Sequence, residues 1–523
     1  MKRLIKLFYI YLAFVVAGCS DILDLEDPNR YTEESYFVDL DRTEESVNAI
    51  YSALRHDGLF VRNYPLMFDF LGNEGEGGFG DSFSEFADFS FNPSNQAVNG
   101  YWASLYRIIL RANFSEYVIN QLNGVQEERK NIQLGQVHFL RAWAYFELVT
   151  AFGRVPLRTE LEDREIIDMP RSEIAEVWEY VEQELNAAAE FLPVSYDAAN
   201  TGRVTRKAAL GLLGKSLVFQ EKYSEAIQVF DQLAALNVGL APNYTDNFTS
   251  QNENNIESLF EVQFFDNPAG FSWYMFNGPA NGGLYEDPGS SGSTHTGRHK
   301  EYSWTTWFNA RVPYAIGEQF AYEDESGNLI VDPRASEIFY GREGIGDSTY
   351  CDNCLSYDAT IYPRSVGAPD TEVDWGPYGY AYKKYCLLED IPNQAEPRSD
   401  INMRVLRYAD ILLLDAEAHI FTNQLEAARQ LINRVRSRAG VFNYSTLGNQ
   451  EEAFEKLKKE RLLELLGEQH RWRDLVRWGI AAETINREKG AEIFLQIHNK
   501  LPIPSNERQT NKAIVDDVNN DWN

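Results

Sequence analysis

Residues 135–157 read GQVHFLRAWAYFELVTAFGRVPL, and this stretch decides the fold. Leu140, Ala144, Leu148 and Phe152 recur at i+4, while Phe139, Trp143 and Phe146 form a neighbouring stripe. That spacing predicts a strongly apolar helix over 131–152. Gly153 stops it and Pro156 follows, a standard end signal. Outward from here the same period recurs. Val47, Ile50 and Leu54 predict a helix over Asp39–Leu54, and further helices are read at Tyr101–Leu122 and Ser172–Leu192. Ser172 is the N-cap candidate of the last, which Pro193 closes. Residues 72–100 turn to Gly, Asn and Phe without helical period and read as an irregular insertion.

Thr205–Gln220 and Tyr223–Leu236 predict a helical hairpin, and 408–421 with 425–438 predict a second. Leu213…Ser224-Glu225-Ala226 superposes on Leu414…Leu425-Glu426-Ala427 at an offset of 201 residues. Small Ala at the crossing and a bulky residue near the turn resemble tetratricopeptide hairpins. The expectation is that the long segment between the two hairpins forbids a continuous solenoid. That segment, about 240–400, carries Asn-Gly, Gly-Gly, Asp-Pro and Gly-Asn turn signals and short aromatic runs. Within it, Ala321–Asp332 reads as a β-hairpin around Ser326-Gly327-Asn328. The fold class is therefore mainly α: a helical body (about 39–240 and 400–500) carrying a loop-rich insert with short β-hairpins. Loops held by a rigid scaffold are where binding usually sits.

Lys and Arg total 48 against 79 Asp and Glu, a formal net charge of −31 over 523 residues. Nucleic-acid binding depends on Lys and Arg neutralising phosphates, and no basic run is present. The same balance disfavours anionic membrane surfaces and polyanionic ligands. The N-terminus is distinct. Lys2, Arg3 and Lys6 precede an apolar run, Leu7–Val16, and then Ala17-Gly18-Cys19. This is the layout of a secretory signal over 1–18, too short to span a bilayer. Val16-Ala17-Gly18-Cys19 resembles the bacterial lipoprotein box, which implies that Cys19 becomes the lipid-modified first residue of a single domain over 19–523.

Several motifs together resemble the SusD/RagB family of nutrient-binding outer-membrane lipoproteins. They are the 135–157 stretch, Met169-Pro170-Arg171-Ser172, Gly202–Ala209, Arg404–Ile411, Ile432–Arg436, the run from Glu460 to Trp478, and Leu501-Pro502-Ile503-Pro504. They occur in the family's order and span nearly the whole chain. The terminal Val518–Asn523 departs from the family's usual tail, and 240–390 matches no family motif. Trp143, Leu475 and Trp478 are read as packing residues, and Arg141, Arg404 and Glu464 as buried ion-pair partners. The resemblance implies a SusD-like fold and a lipid-anchored cell-surface protein without catalysis of its own. It also implies an oligosaccharide or, in some members, peptide ligand, and a partner in a SusC-like TonB-dependent transporter.

Sugars are gripped by aromatic faces, with amides and carboxylates on the hydroxyls, and such aromatic area is costly to expose otherwise. The densest candidates lie in Phe271–Asn277 and Trp304–Asn309: Trp273, Tyr274, Trp304 and Trp307, with Asn277 and Asn309 for hydroxyls. Tyr285, Trp375, Tyr378 and Tyr380 form a second tier, and Asn281 and Glu286 are further polar candidates. The alternative for these rings is the core of the insert. The Phe-rich 79–91 reads as packing or partner contact. Gly75–Gly80 satisfies G-x-G-x-x-G, but it lies among Glu74, Glu76 and Asp81, which would repel a phosphate. Cys351 and Cys354 are a disulfide candidate, with free thiols and metal binding as alternatives. His295 and His299 lack the Glu of a zinc-protease helix. Glu323–Asn328 has acids for a structural calcium but not EF-loop spacing, so a solvated tip is the default. No cofactor and no resident metal are expected.

Overall fold

The computed structural model describes residues 33–77, 83–264, 298–302, 309–340, 380–386 and 399–514. Helix α1 (Leu40–Leu54) is capped by Asp39, whose carboxylate accepts from the Asp41 and Arg42 amides. A tight turn, Asp57–Val61, leads into α2 (Asn63–Leu71). Then come α3 (Gln96–Gln121), α4 (Glu127–Phe152), α5 (Ile174–Phe191), α6 (Arg206–Phe219) and α7 (Tyr223–Ala234). Past the insert lie α8 (Tyr408–Phe421), α9 (Leu425–Arg438), α10 (Gln450–Leu465), α11 (Arg471–Arg477) and α12 (Ala481–Lys489).

The 135–157 stretch ends α4 as expected, and α4 is buried on nearly every side along 133–149. A helix apolar all round belongs in the middle of its layer. Here α4 packs on α3, α5 and α1. Its two buried charges are both answered. Arg141 donates to Glu184 Oε2 at 2.6 Å, Glu116 Oε2 at 2.6 Å and Asn113 Oδ1 at 2.9 Å. Glu147 accepts from Tyr101 at 2.7 Å and from Arg473.

Two expectations about the hairpins are corrected. First, the helices pack in the order α3, α4, α5, α6, α7, α8, α9, so the array is continuous in space although the chain leaves it between α7 and α8. Tyr223 of α7 stacks on Phe421 of α8, with centroids 4.9 Å apart and planes 12° apart. The departure does not break the stack because its two ends are tied. Strands β1 (Ser258–Val262) and β7 (Met403–Arg407) pair antiparallel, from Ser258↔Arg407 to Val262↔Met403. Secondly, the repeat offset is 202 residues, not 201. The positive-φ turn residues are Glu221 and Asn423, and the alanines buried at the crossings are Ala226 and Ala428. Ala427 is only half-buried.

Helix ends differ where local signals mislead. Helix α3 begins at Gln96, not Tyr101, because Asn95 accepts from the amides of Ala97 and Val98. Gly100 resembles a breaker in sequence, but it is where Gly58 packs: a Cβ on Gly58 would sit 2.3 Å from the Gly100 carbonyl. Ser172 does not cap α5. Its amide donates to Val155 O, and Glu173 forms the capping box with Glu176. Phe83, Phe86, Phe89 and Phe91 are buried, Phe89 against Phe494 and His498, so the described part of the Phe-rich stretch is core.

In the insert, β2 (Arg311–Val312), β6 (Tyr380–Tyr382) and β5 (Phe339–Tyr340) form a three-stranded antiparallel sheet in that order. The hairpin expected at 321–332 is present as β3 (Ala321–Glu323) and β4 (Leu329–Val331). A buried ionic network fastens insert to body. Arg407 donates to Glu468 Oε2 at 2.9 Å and Glu464 Oε1 at 2.6 Å. Arg334 reaches Glu460 at 2.7 Å, Glu464 at 2.9 Å and Asp332 at 2.8 Å, and Lys384 reaches Glu468 at 2.7 Å. Arg438 pairs with Glu257 and Glu464, and Arg436 with Glu460. Each of these side chains is at most 4 % exposed. Five acids face five bases, which is how so many charges can leave water together. Burial raises the Glu464 carboxyl, yet Arg438, Arg407 and Arg334 outweigh it and hold it down to about 2. Glu468 is likewise held down to about 2 by Arg407 and Lys384 against the effect of burial. No helix among the described residues is long and apolar enough to cross a membrane.

Candidate functional site

The chain leaving α2 and two short segments of the insert meet in one frame. After Leu71 the backbone turns sharply, and the amides of Glu74 and Gly75 both donate to the Asp69 carbonyl, at 2.7 and 2.9 Å. Glu76 then exchanges two backbone hydrogen bonds with Arg311 of β2, at 2.8 and 2.9 Å. Gly77 follows with φ +116, and a Cβ there would lie 3.0 Å from the Asn309 carbonyl. Only glycine takes that conformation beside that neighbour without strain. From behind, Arg471 donates to Glu488 at 2.6 Å and Asn73 to the same carboxylate at 3.0 Å, which fixes the turn against α11 and α12.

The insert contributes a one-turn helix, Arg298–Tyr302. Tyr302 donates to Asp69 Oδ2 at 2.7 Å, and Arg298 donates to the Gly467 carbonyl at 2.6 Å. Glu301, 1 % exposed, is the hub. Its carboxylate accepts from Arg62 Nε at 2.6 Å and from the Asn309 amide. Its carbonyl accepts from the backbone N–H groups of Asn309 and Ala310, at 2.7 and 3.2 Å. The described residues on either side of 303–308 are therefore fastened to each other. The Arg62 guanidinium also lies 4.4 Å from the centre of the Phe83 ring. Beneath it, burial raises the Asp57 carboxyl to about 6; Arg62 opposes this and Glu301 adds to it.

Of the sequence-derived site residues, Asn309 is placed in this frame, with its amide N–H donating to Glu301 rather than standing free. Tyr380 is corrected: it is 1 % exposed, donates to Glu318 at 2.8 Å and stacks on Phe339, so it is core. Cys19, Trp273, Tyr274, Asn277, Asn281, Tyr285, Glu286, His295, Trp304, Trp307, Cys351, Cys354, Trp375 and Tyr378 lie outside the described residues. His299, expected in a loop, falls in the Arg298–Tyr302 turn. Cys386 is a free, buried thiol pushed up to about 12 by burial. Asp324, a candidate for calcium, accepts from the Ser326 and Asn328 amides at 2.8 and 2.9 Å and folds the hairpin tip itself. Arg62, Glu301 and Arg311 were not singled out by sequence. No motif marks them, and they meet only through the fold.

This mainly helical architecture, an array of helical hairpins carrying one long insert, is shared with solved SusD-like proteins. Surface glycan-binding protein A from Bacteroides thetaiotaomicron, solved in complex with laminarihexaose, superposes with a TM-score of 0.71. Its identity is 21 %, over 90 % of this chain and 98 % of that one. A laminarin-binding SusD-like protein gives a TM-score of 0.72 at 24 % identity, over 91 % of this chain and 98 % of that one. In sequence, a SusD-like protein of Formosa agariphila is 24 % identical over 528 residues, with 97 % of each chain covered. The family model described as the SusD family matches residues 221–522, more than half of the chain, and the chain belongs to that family. A further model, described as starch-binding associating with outer membrane, matches residues 40–217.

Proposed function

We propose that this protein is a non-catalytic, lipid-anchored capture protein of the outer-membrane surface. It binds oligosaccharides on its insert and passes them to a SusC-like TonB-dependent transporter. The observation that carries the reading is the frame around Glu301. It fastens Glu301 and Asn309, the described residues that flank 303–308 in sequence, to the rigid helical body, which supports a stacking platform in the segment between them. Two structures of the same fold, one named as laminarin-binding and one solved with laminarihexaose, support a neutral glycan as the ligand class. Export and anchoring rest on the signal-like residues 1–18 and on Cys19. Peptide capture on the same scaffold is the competing reading, suited to basic peptides by the net charge of −31.

Calorimetric titration of a laminarin oligosaccharide into the mature chain and into Trp273→Ala, Trp304→Ala and Trp307→Ala tests it. Loss of one stacking ring is expected to weaken binding by about tenfold. Unchanged affinity in all three variants would refute the assignment of the site.

A further inference from the structure

A cleft of about 370 Å³ between α10, α11 and α12 lies behind the insert frame and shares Glu74, Arg471 and Glu488 with it. Its size lies in the range of small-molecule pockets, roughly 300–1,000 Å³. Trp478, Leu462, Leu475 and Ile480 give it apolar wall. Its depth is set by burial: Glu483 and Arg487 at the mouth have side chains 78 and 66 % exposed, whereas Glu74 is 1 % exposed. Glu74 Oε2 is buried and has no hydrogen-bond partner. A buried carboxylate oxygen without a partner among the residues lining a cleft is a group that a ligand hydroxyl would satisfy.

The lining selects the ligand class. Five acids and five Lys or Arg side chains line the cleft, so it presents no net field to attract a polyanion or a polycation. Most of these charges are already paired: Arg471 with Glu488 at 2.6 Å, Lys458 with Glu455 at 2.6 Å, and Asp474 with Arg461 at 2.7 Å. Paired donors and acceptors of both kinds, beside an indole, suit a neutral molecule bearing many hydroxyls. Burial, with Asp69 adding to it, raises the Glu74 carboxyl well above the ordinary range.

We propose that this cleft is a second binding site, distinct from the proposed stacking rings Trp304 and Trp307, for a neutral mono- or disaccharide. Glu74 contacts a hydroxyl at its inner end, and Trp478 supplies apolar ring surface. The site stands whether or not the insert binds glycan.

The test uses the mature full-length chain, with cellobiose and laminaribiose as probes, followed by saturation-transfer NMR and by calorimetry. Thr484→Trp fills the cleft from a lining position that is 8 % exposed. The double variant Glu455→Ala/Lys458→Ala removes one ion pair of the lining and no fully buried side chain. Affinity for at least one disaccharide is expected to fall about tenfold in Thr484→Trp and to weaken measurably in the double variant. It is expected to persist in Trp304→Ala/Trp307→Ala, which separates this site from the insert. No signal with the unmodified chain, or affinity unchanged in both cleft variants, would overturn the proposal.

Discussion

Gly214 shows how one residue sets the spacing of two helices. A Cβ there would lie 2.1 Å from Phe230 Cε1, so α6 and α7 approach as they do only because position 214 has no side chain. Phe230 is itself buried and cannot swing out. Gly214→Ala is expected to destabilise the chain by about 1–3 kcal/mol through overpacking, read as a lower urea midpoint with an unchanged slope. A midpoint equal to that of the unmodified chain would mean that the hairpin separates freely. At the same scale the sequence was readable where a residue acts on near neighbours and silent where it acts across the fold. Leu140, Leu148 and Trp143 declare the core face of α4 by spacing alone. Arg62 and Glu301 stand 239 residues apart, and nothing in either neighbourhood announces the pair. Asn309 was picked for its chemistry, yet its amide N–H is given to Glu301.

The elements were legible in proportion to their periodicity. Helices α8 and α9 fall where their spacing predicts and α4 ends where expected though it starts four residues early at Glu127, whereas the start of α3 was displaced by Gly100, which resembles a break but serves close packing. The buried network is an interaction between elements and has no local signature. Its pH behaviour follows from the depressed carboxyls. Glu464 and Glu468 have folded-state values of about 2 against the ordinary 4.5. Their contribution to stability is complete above about pH 4.5 and is lost as the pH falls towards 2. Glu464→Gln is expected to flatten this acid limb in a denaturation series. It should also cost roughly 3–5 kcal/mol at neutral pH, because Arg407, Arg438 and Arg334 are left with one partner fewer in a dry site. An acid limb unchanged by the substitution would place the acid sensitivity elsewhere.

At the scale of the whole molecule, the insert and the array share one set of charges. Asp332, Arg334 and Lys384 come from the insert and complete a network whose other members lie on α9, α10, the turn after α10 and the ends of the strand pair. Insert and body are therefore expected to unfold in a single calorimetric transition, with van't Hoff and calorimetric enthalpies in agreement. Two resolved transitions would show that the network does not couple them. The long excursion between the hairpins looked in sequence like an interruption of the solenoid, because sequence distance hides the β1–β7 tie that closes it.

The central claim, capture of a neutral glycan, is tested most directly by titrating the mature chain with a panel of neutral oligosaccharides and basic peptides at low and high salt. The account predicts saturable binding of at least one oligosaccharide, with an affinity nearly independent of ionic strength, since an uncharged ligand leaves little for salt to screen. Binding confined to the basic peptides and falling steeply with salt would contradict it.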